Sequence, residues 1–240
     1  MSVAIIQDTL PQLDLANGFA RIAADDIREM AGPEAMAEWP LFRASWDDLE
    51  RDEYMADGGT YRRRSFSVFK LGPERLHRKT HRPHFQGRQY NPLNGGLERW
   101  FMPTDSALTD GLLIPALLRS ARDLFSPDGA NGHWLAELHQ FRIEARADGP
   151  GHPTPEGLHR DGVDWVFMMA VERFGVTGGV SHIHANDGTP LAEFTLIEPG
   201  DAVLLDDRRV LHGVTPIHPA DGDKPGHRDL LVVTYRRIEG

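Results

Sequence analysis

The second half of the chain is cut into short apolar segments by clusters of turn-forming residues, and that punctuation narrows the fold more than any other feature. Trp134–Ala145, Val163–Phe174, Phe194–Ile197, Ala202–Leu205, Val210–Val214 and Leu230–Tyr235 are rich in Val, Phe, Thr and Leu. Between them lie ADGPGHPTPEG, VTGG, ANDGTP, EPGD and HPADGDKPG. In such clusters Gly supplies positive φ, while Pro and Asp set turn geometry. Many short strands with turn signals between them predict an antiparallel sandwich or barrel, for which jelly-roll closure removes exposed edges.

The first half reads differently. Leu15, Phe19, Ile22, Ala23, Ile27 and Met30 recur mostly at spacings of three and four, which predicts an amphipathic helix ended by Gly32-Pro33. A second helix is predicted within Thr109–Phe125, capped by Asp110 and stopped by Ser126-Pro127-Asp128-Gly129, with Pro115 blurring its start. Thr60–Leu71 reads as a strand. The chain shows no internal repeat and no low-complexity tract. The expected architecture is mainly β (α+β), one domain over residues 1–240. Residues 1–130 give helical and β support, and residues 131–240 form the jelly-roll core.

Composition removes several classes of function. Lys+Arg 26 against Asp+Glu 36 gives a formal charge of −10, which argues against a general nucleic-acid or anionic-membrane binder. No run approaches the ~18 apolar residues of a spanning helix. The start, MSVAIIQDTLPQLD, lacks a cationic segment followed by an apolar stretch, so a cytoplasmic protein is the expectation. With no cysteine, thiolate catalysis, disulfides and thiolate metal sites are excluded. Metal ligands must then come from Asp, Glu and the 12 histidines.

The densest chemical signal is Gly157-Leu158-His159-Arg160-Asp161-Gly162. On an extended strand, residues two apart share a face, so His159 and Asp161 can offer an imidazole and a carboxylate to one ion. Leu211-His212-Gly213 follows the strand-like GDAVLLDD and can bring a second imidazole. Two His and one carboxylate form the facial set that leaves positions open on non-haem Fe(II). Downstream, Arg228 opens RDLLVVTY, where its forked donors suit the far carboxylate of a dicarboxylate. Its ordinary alternative is a surface Arg paired with Asp229 or Asp223.

PEGLHRDGVDWV, Gly178-Gly179, PGDAVLLDDRRVLHGVTPI, HRDLLVVTYRR and the upstream LHQFRIEA occur in one order. Over residues ~135–237 they resemble the Fe(II)/2-oxoglutarate dioxygenases that hydroxylate free L-amino acids, the bacterial L-isoleucine 4-hydroxylase-like family. The resemblance implies a double-stranded β-helix with Fe(II) held by His159, Asp161 and His212. It implies that Arg228 anchors 2-oxoglutarate, that O2 is consumed, and that succinate and CO2 are released. Ascorbate would serve as reductant in vitro. Leu230 stands where many relatives carry Ser or Thr, so another group must assist Arg228, and Gln140 and Thr234 are the candidates. The implied partner is a small molecule, a free L-amino acid, with no nucleic acid and no membrane. A homo-oligomer is compatible with the sequence.

Competing readings exist. His182 and His184 share a strand face and, with Glu193 and His212, resemble a cupin metal set; a solvent-facing pair is the commoner fate of an H-x-H beside a turn. A β-helix module that binds a ligand without turnover is a further alternative. Arg62, Arg63 and Arg64 form the densest basic run, whose ordinary role is a solvated strand edge. The sharper reading takes Arg62 and Arg64, which share a face, to a substrate carboxylate. Trp165 and Phe167 alternate in phase with Asp161 and are candidates to line an apolar substrate pocket, although core packing is the usual role of such residues. His77, His81 and His84 lie in a basic segment read as a loop, either lid or surface. Asp206-Asp207-Arg208-Arg209 reads as a turn with an internal ion pair that aims His212 inward. His139 and Gln140 are adjacent, so only one of them can face the interior.

Overall fold

A computed structural model describes residues 15–126, 132–222 and 224–239. The reading of residues 1–14 as leaderless, and Pro127–Gly129 of the helix stop, lie outside the described residues. The chain opens with β1 (Phe19–Ile22), α1 (Ala24–Ala31), α2 (Pro33–Met36), α3 (Trp39–Ala44) and a 3-10 turn at Ser45–Asp48. It continues through β2 (Arg62–Leu71), β3 (Leu76–Arg78), β4 (His84–Phe85), β5 (Glu98–Arg99), α4 (Ser106–Thr109) and α5 (Leu113–Phe125). Two long strands follow, β6 (His133–Ala145) and β7 (Trp165–Phe174). The remainder is β8 (Val176–Gly178), β9 (Ser181–Ala185), β10 (Pro190–Phe194), β11 (Ala202–Asp206), β12 (Val210–Val214), β13 (Ile217–Pro219) and β14 (Gly226–Ile238).

A seven-stranded antiparallel sheet runs β1-β11-β7-β14-β6-β2-β3, and a smaller sheet runs β10-β9-β12. Strands β8 and β13 pair with each other, as do β4 and β5. The arrangement is a double-stranded β-helix. One face of the large sheet packs on the helices through Phe42, Trp46, Leu118, Phe69, Phe167 and Tyr235, all buried. The other face, with Val166, Met168 and Ala170 of β7, packs towards Ile183 of β9 and Val210 of β12. Alternation along each strand thus separates a helix-side core from a barrel interior. Among the described residues, no helix is long and apolar enough to cross a membrane.

Three expectations are corrected here. The helix placed over Leu15–Met30 begins only at Ala24, because Phe19–Ile22 pairs with Leu205–Ala202 as an edge strand. Its apolar residues satisfy helical spacing, yet Ala20 and Ile22 also alternate at period two, and strand pairing decides. Helix α5 starts at Leu113 and is not capped by Asp110; the Glu38 carboxylate accepts from the backbone N–H of Leu112 and Leu113 at 2.9–3.0 Å. The strand expected over Phe194–Ile197 instead covers Pro190–Phe194, since the NDGT turn folds it back onto β9.

Candidate active site

His159 and His212 meet across a short antiparallel bridge, each backbone N–H donating to the other's carbonyl at 3.0 Å. Their rings lie 4.5 Å apart, centroid to centroid. His159 Nδ1 lies 3.0 Å from the Gly157 carbonyl, a contact that makes it the donor and leaves Nε2 for a ligand. The Asp161 carboxylate reaches 3.4 Å from His212 Nε2 and 3.8 Å from His159 Nε2. Each of the three residues offers one ligand-type atom, all within 4.8 Å of one another. Both ring nitrogens of His212 are buried without a hydrogen-bond partner. Burial alone would favour the neutral acid at Asp161, but His212 and His159 outweigh it and hold the carboxyl well below the usual range.

The turn that delivers these groups is braced from below. Asp207 accepts from the backbone N–H of Asp161, Gly162 and Val163 at 2.8–3.0 Å. Gly162 has φ +78°, and a Cβ there would sit 2.4 Å from the Tyr90 ring, so both conformation and space require glycine. Gln86 Nε2 donates to the Asp161 carboxylate at 3.2 Å, and Asn91 donates to Gln86 Oε1 at 3.2 Å. The ion pair expected inside the DDRR turn joins Arg208 to Asp206 at 3.0 Å. Asp207 has the separate task of holding the loop.

These groups open onto a cavity of about 540 Å³ that Arg228 also lines. Arg228 is 2% exposed, its Nε has no partner, and among the described residues no carboxylate pairs with it. Arg228 is thus no surface residue, and Asp229 bonds Arg142 instead; Asp223, the other partner expected of a surface Arg, lies outside the described residues. Burial, with Arg173 nearby, brings the Arg228 pKa down to about 10, which leaves it protonated at neutral pH. Gly179 lies close above it, at φ +70°, where a Cβ would come within 3.5 Å of Arg228 Cδ.

Register sorts the remaining candidates. Arg62, Ile143 and Arg228 form one row across β2, β6 and β14, and Arg64, Phe141 and Leu230 form the next. Both arginines line the cavity and are buried, so the solvated-edge reading of the basic run fails for them. Thr234 also lines the cavity but stands six residues from Arg228, roughly 20 Å along the strand, too far to assist it. Gln140 faces away, bonded to Ser65 at 2.6 Å and Ser45 at 2.7 Å, and its neighbour His139 faces the cavity. Trp165 and Phe167 lie in the helix-side core, Trp165 stacked on Phe125 at 5.0 Å. The phase shared by Asp161 and Val163, which both line the cavity, is lost at the bend over residues 162–164, so Met168 and not Trp165 or Phe167 faces the cavity from β7.

The H-x-H pair lies elsewhere. Ile183 pairs with His212 and is buried, which turns His182 and His184 to the opposite face of β9. His182 approaches the exposed Glu193 at 3.6 Å. The basic segment read as a loop is in part strand, with His77 in β3 and His84 in β4; His84 lines the cavity while His77 is exposed and His81 lies against Trp100. Gln86, Arg99 and Glu137 are not singled out by the sequence, and Asp207 enters there only as part of the turn that aims His212 inward. Only Glu137 left a signal, its alternation with His139 in LAELHQF.

The sequence matches the 2OG-Fe dioxygenase family over residues 43–234. A crystal structure of a bsmA homolog from Methylobium petroleophilum PM1 is 38% identical with a TM-score of 0.84, covering 92% of this chain and 89% of that one. The 3(1)-hydroxy-L-isoleucine 4-dioxygenase of Pantoea ananatis is 26% identical over 161 residues, 65% of each chain. The L-isoleucine-4-hydroxylase of Bacillus thuringiensis is 25% identical over 155 residues, 63% of this chain and 64% of its own. The match thus spans about two thirds of the length of these two relatives.

Proposed function

Because the chain belongs to the 2OG-Fe dioxygenase family, we propose that it hydroxylates the side chain of a free L-amino acid, consuming 2-oxoglutarate and O2 and releasing succinate and CO2. One observation carries this reading: the His159–Asp161–His212 trio and the buried, unpaired Arg228 face the same cavity. The donor set fits the metal that the family implies. Two imidazoles and a carboxylate suit non-haem Fe(II), and the partnerless nitrogens of buried His212 are costly unless a ligand takes one. Iron, when bound, supplies the activation of O2 at the expense of 2-oxoglutarate.

The protein's own part is positioning. Gly157 fixes the His159 ring through Nδ1, Gln86 steadies the Asp161 carboxylate, and Asp207 sets the backbone between them. Arg228 would bind the far carboxylate of 2-oxoglutarate through parallel N–H donors. The amino-acid substrate is supported by the activities named for the two isoleucine relatives.

The test is succinate formation by purified protein with Fe(II), 2-oxoglutarate, ascorbate and O2, against each free L-amino acid singly. The expected result is iron-dependent succinate stimulated by one or a few amino acids, with a product one oxygen atom heavier. Slow succinate release that no amino acid stimulates would move the substrate to another class. No succinate from iron-loaded protein would overturn the dioxygenase activity itself.

A further inference from the structure

The cavity holds a second cluster that iron binding does not use. His84, Glu137 and His139 bring ligand-type atoms within 4.8 Å of one another, and all three line the cavity. The neighbours rule out a second metal. Arg64 Nη2 lies 2.7 Å from His139 Nδ1, and Arg99 Nη2 lies 2.9 Å from His84 Nδ1. A guanidinium can only donate, so each Nδ1 accepts and each ring carries its proton on Nε2, with no lone pair left for an ion. Burial, reinforced by the guanidiniums, keeps both imidazoles neutral. A divalent cation here would also meet three buried arginines.

Carboxylates stand near those arginines without filling their donors. Arg62, Arg64 and Arg99 are all buried; Asp52 lies 2.7 Å from Arg62 and 3.7 Å from Arg64, and Glu156 lines the same cavity within electrostatic reach of Arg99. The Nε atoms of Arg64 and Arg99 are buried without partners. Arg64 is held rigidly, its guanidinium 3.8 Å from the Phe101 ring centroid and 4.5 Å from that of Phe141. A fixed, desolvated cation with unfilled donors is preorganised for an anion. Glu137 offers the opposite charge in the same cavity. Its contacts are slack, Arg82 at 3.5 Å and the neutral His84 at 3.8 Å, and burial raises its pKa, so a cationic ligand would stabilise its charged form.

We propose that this cluster is a zwitterion site: Arg64 and Arg99 take the substrate's α-carboxylate, and Glu137 takes its α-ammonium. The assignment rests on the amino-acid reading above and deepens it. Glu137 stands six residues along β6 from Ile143, which shares the row of Arg228, and Arg64 stands on β2, two strands across from Leu230 in the next row, so the headgroup site is offset from the 2-oxoglutarate anchor. The apolar wall between them, Leu230, Val232 and Met168, suits an aliphatic side chain. Blocking either charged group, as in a peptide, removes a partner that the site requires.

Calorimetry on the full-length protein with Fe(II) and 2-oxoglutarate, under nitrogen, tests this. The common L-amino acids are titrated singly, and the tightest binder is compared with its methyl ester and its N-acetyl derivative. Each blocked form should bind at least about tenfold more weakly, the effect of losing one charged hydrogen bond. Glu137→Gln should weaken the amino acid about tenfold and leave the N-acetyl form unchanged. Blocked forms that bind as well as the parent would overturn the site, whether or not the variant folds. So would equal weakening of parent and N-acetyl form by Glu137→Gln, which marks a structural role only. If no amino acid binds while iron-dependent succinate release persists, the headgroup site and the amino-acid substrate fall and the dioxygenase stands. Zwitterion-selective binding without any succinate leaves the site standing and removes the dioxygenase activity.

Discussion

Arg228 shows how much a single side chain can specify. A guanidinium 2% exposed, with a free Nε and no carboxylate partner among the described residues, is destabilising unless a ligand satisfies it. Asp229 is its sequence neighbour but points to the other face, where it bonds Arg142 through both oxygens. Alternation on β14 therefore separates a structural ion pair from a buried cation that faces the cavity one residue away. Arg228→Lys keeps the charge and loses the fork. Anaerobic titration of 2-oxoglutarate onto the iron-loaded variant should show affinity lowered about tenfold or more, with iron binding retained. Unchanged 2-oxoglutarate affinity would reject the anchor.

At the scale of elements, the decisive piece is the turn from Gly157 to Asp164 and its attachment to the start of the β11–β12 connection. Asp207 holds three consecutive backbone N–H groups, so it couples the Asp161 ligand to the strand that carries His212. Asp207→Asn would set an amide donor against those donors. The expected cost is about 1–3 kcal/mol of stability, read as a lower Tm, and a ~10–100-fold loss of iron affinity. A variant with wild-type Tm and iron affinity would show that the turn holds itself. The strands themselves were legible because Gly, Pro, Asp and Asn clusters mark their ends. Phase was legible only within an uninterrupted strand. Trp165 and Phe167 read as cavity-facing because composition does not show that the bend over residues 162–164 resets the alternation before β7 begins. The Arg62–Arg64 run resembles a solvated edge because local composition does not reveal that Glu50–Asp52 pairs along that edge of β2, or that the Asp52 carboxylate meets Arg62. Leu15–Met30 failed for a similar reason: an edge strand and a helix share its apolar positions, and only the partner β11 decides.

On the scale of the whole molecule, the large sheet divides two kinds of chemistry. Its helix-side face is packed with aromatic and aliphatic side chains, whereas its other face places charged groups in a cavity closed by the smaller sheet. Order along the chain explains why the His159–Asp161–His212 trio is readable and the second cluster is not. His159 and Asp161 are two residues apart, and His212 lies on the strand that pairs beside them. Arg64, His84, Arg99 and Glu137 come from four separated stretches that meet only after folding. The most direct measurement of the central claim is anaerobic Fe(II) titration of the wild-type protein beside His159→Ala, Asp161→Ala and His182→Ala. The account expects one iron per chain in the wild type and in His182→Ala, and its loss in the other two. Iron retained by His159→Ala and lost from His182→Ala would contradict it.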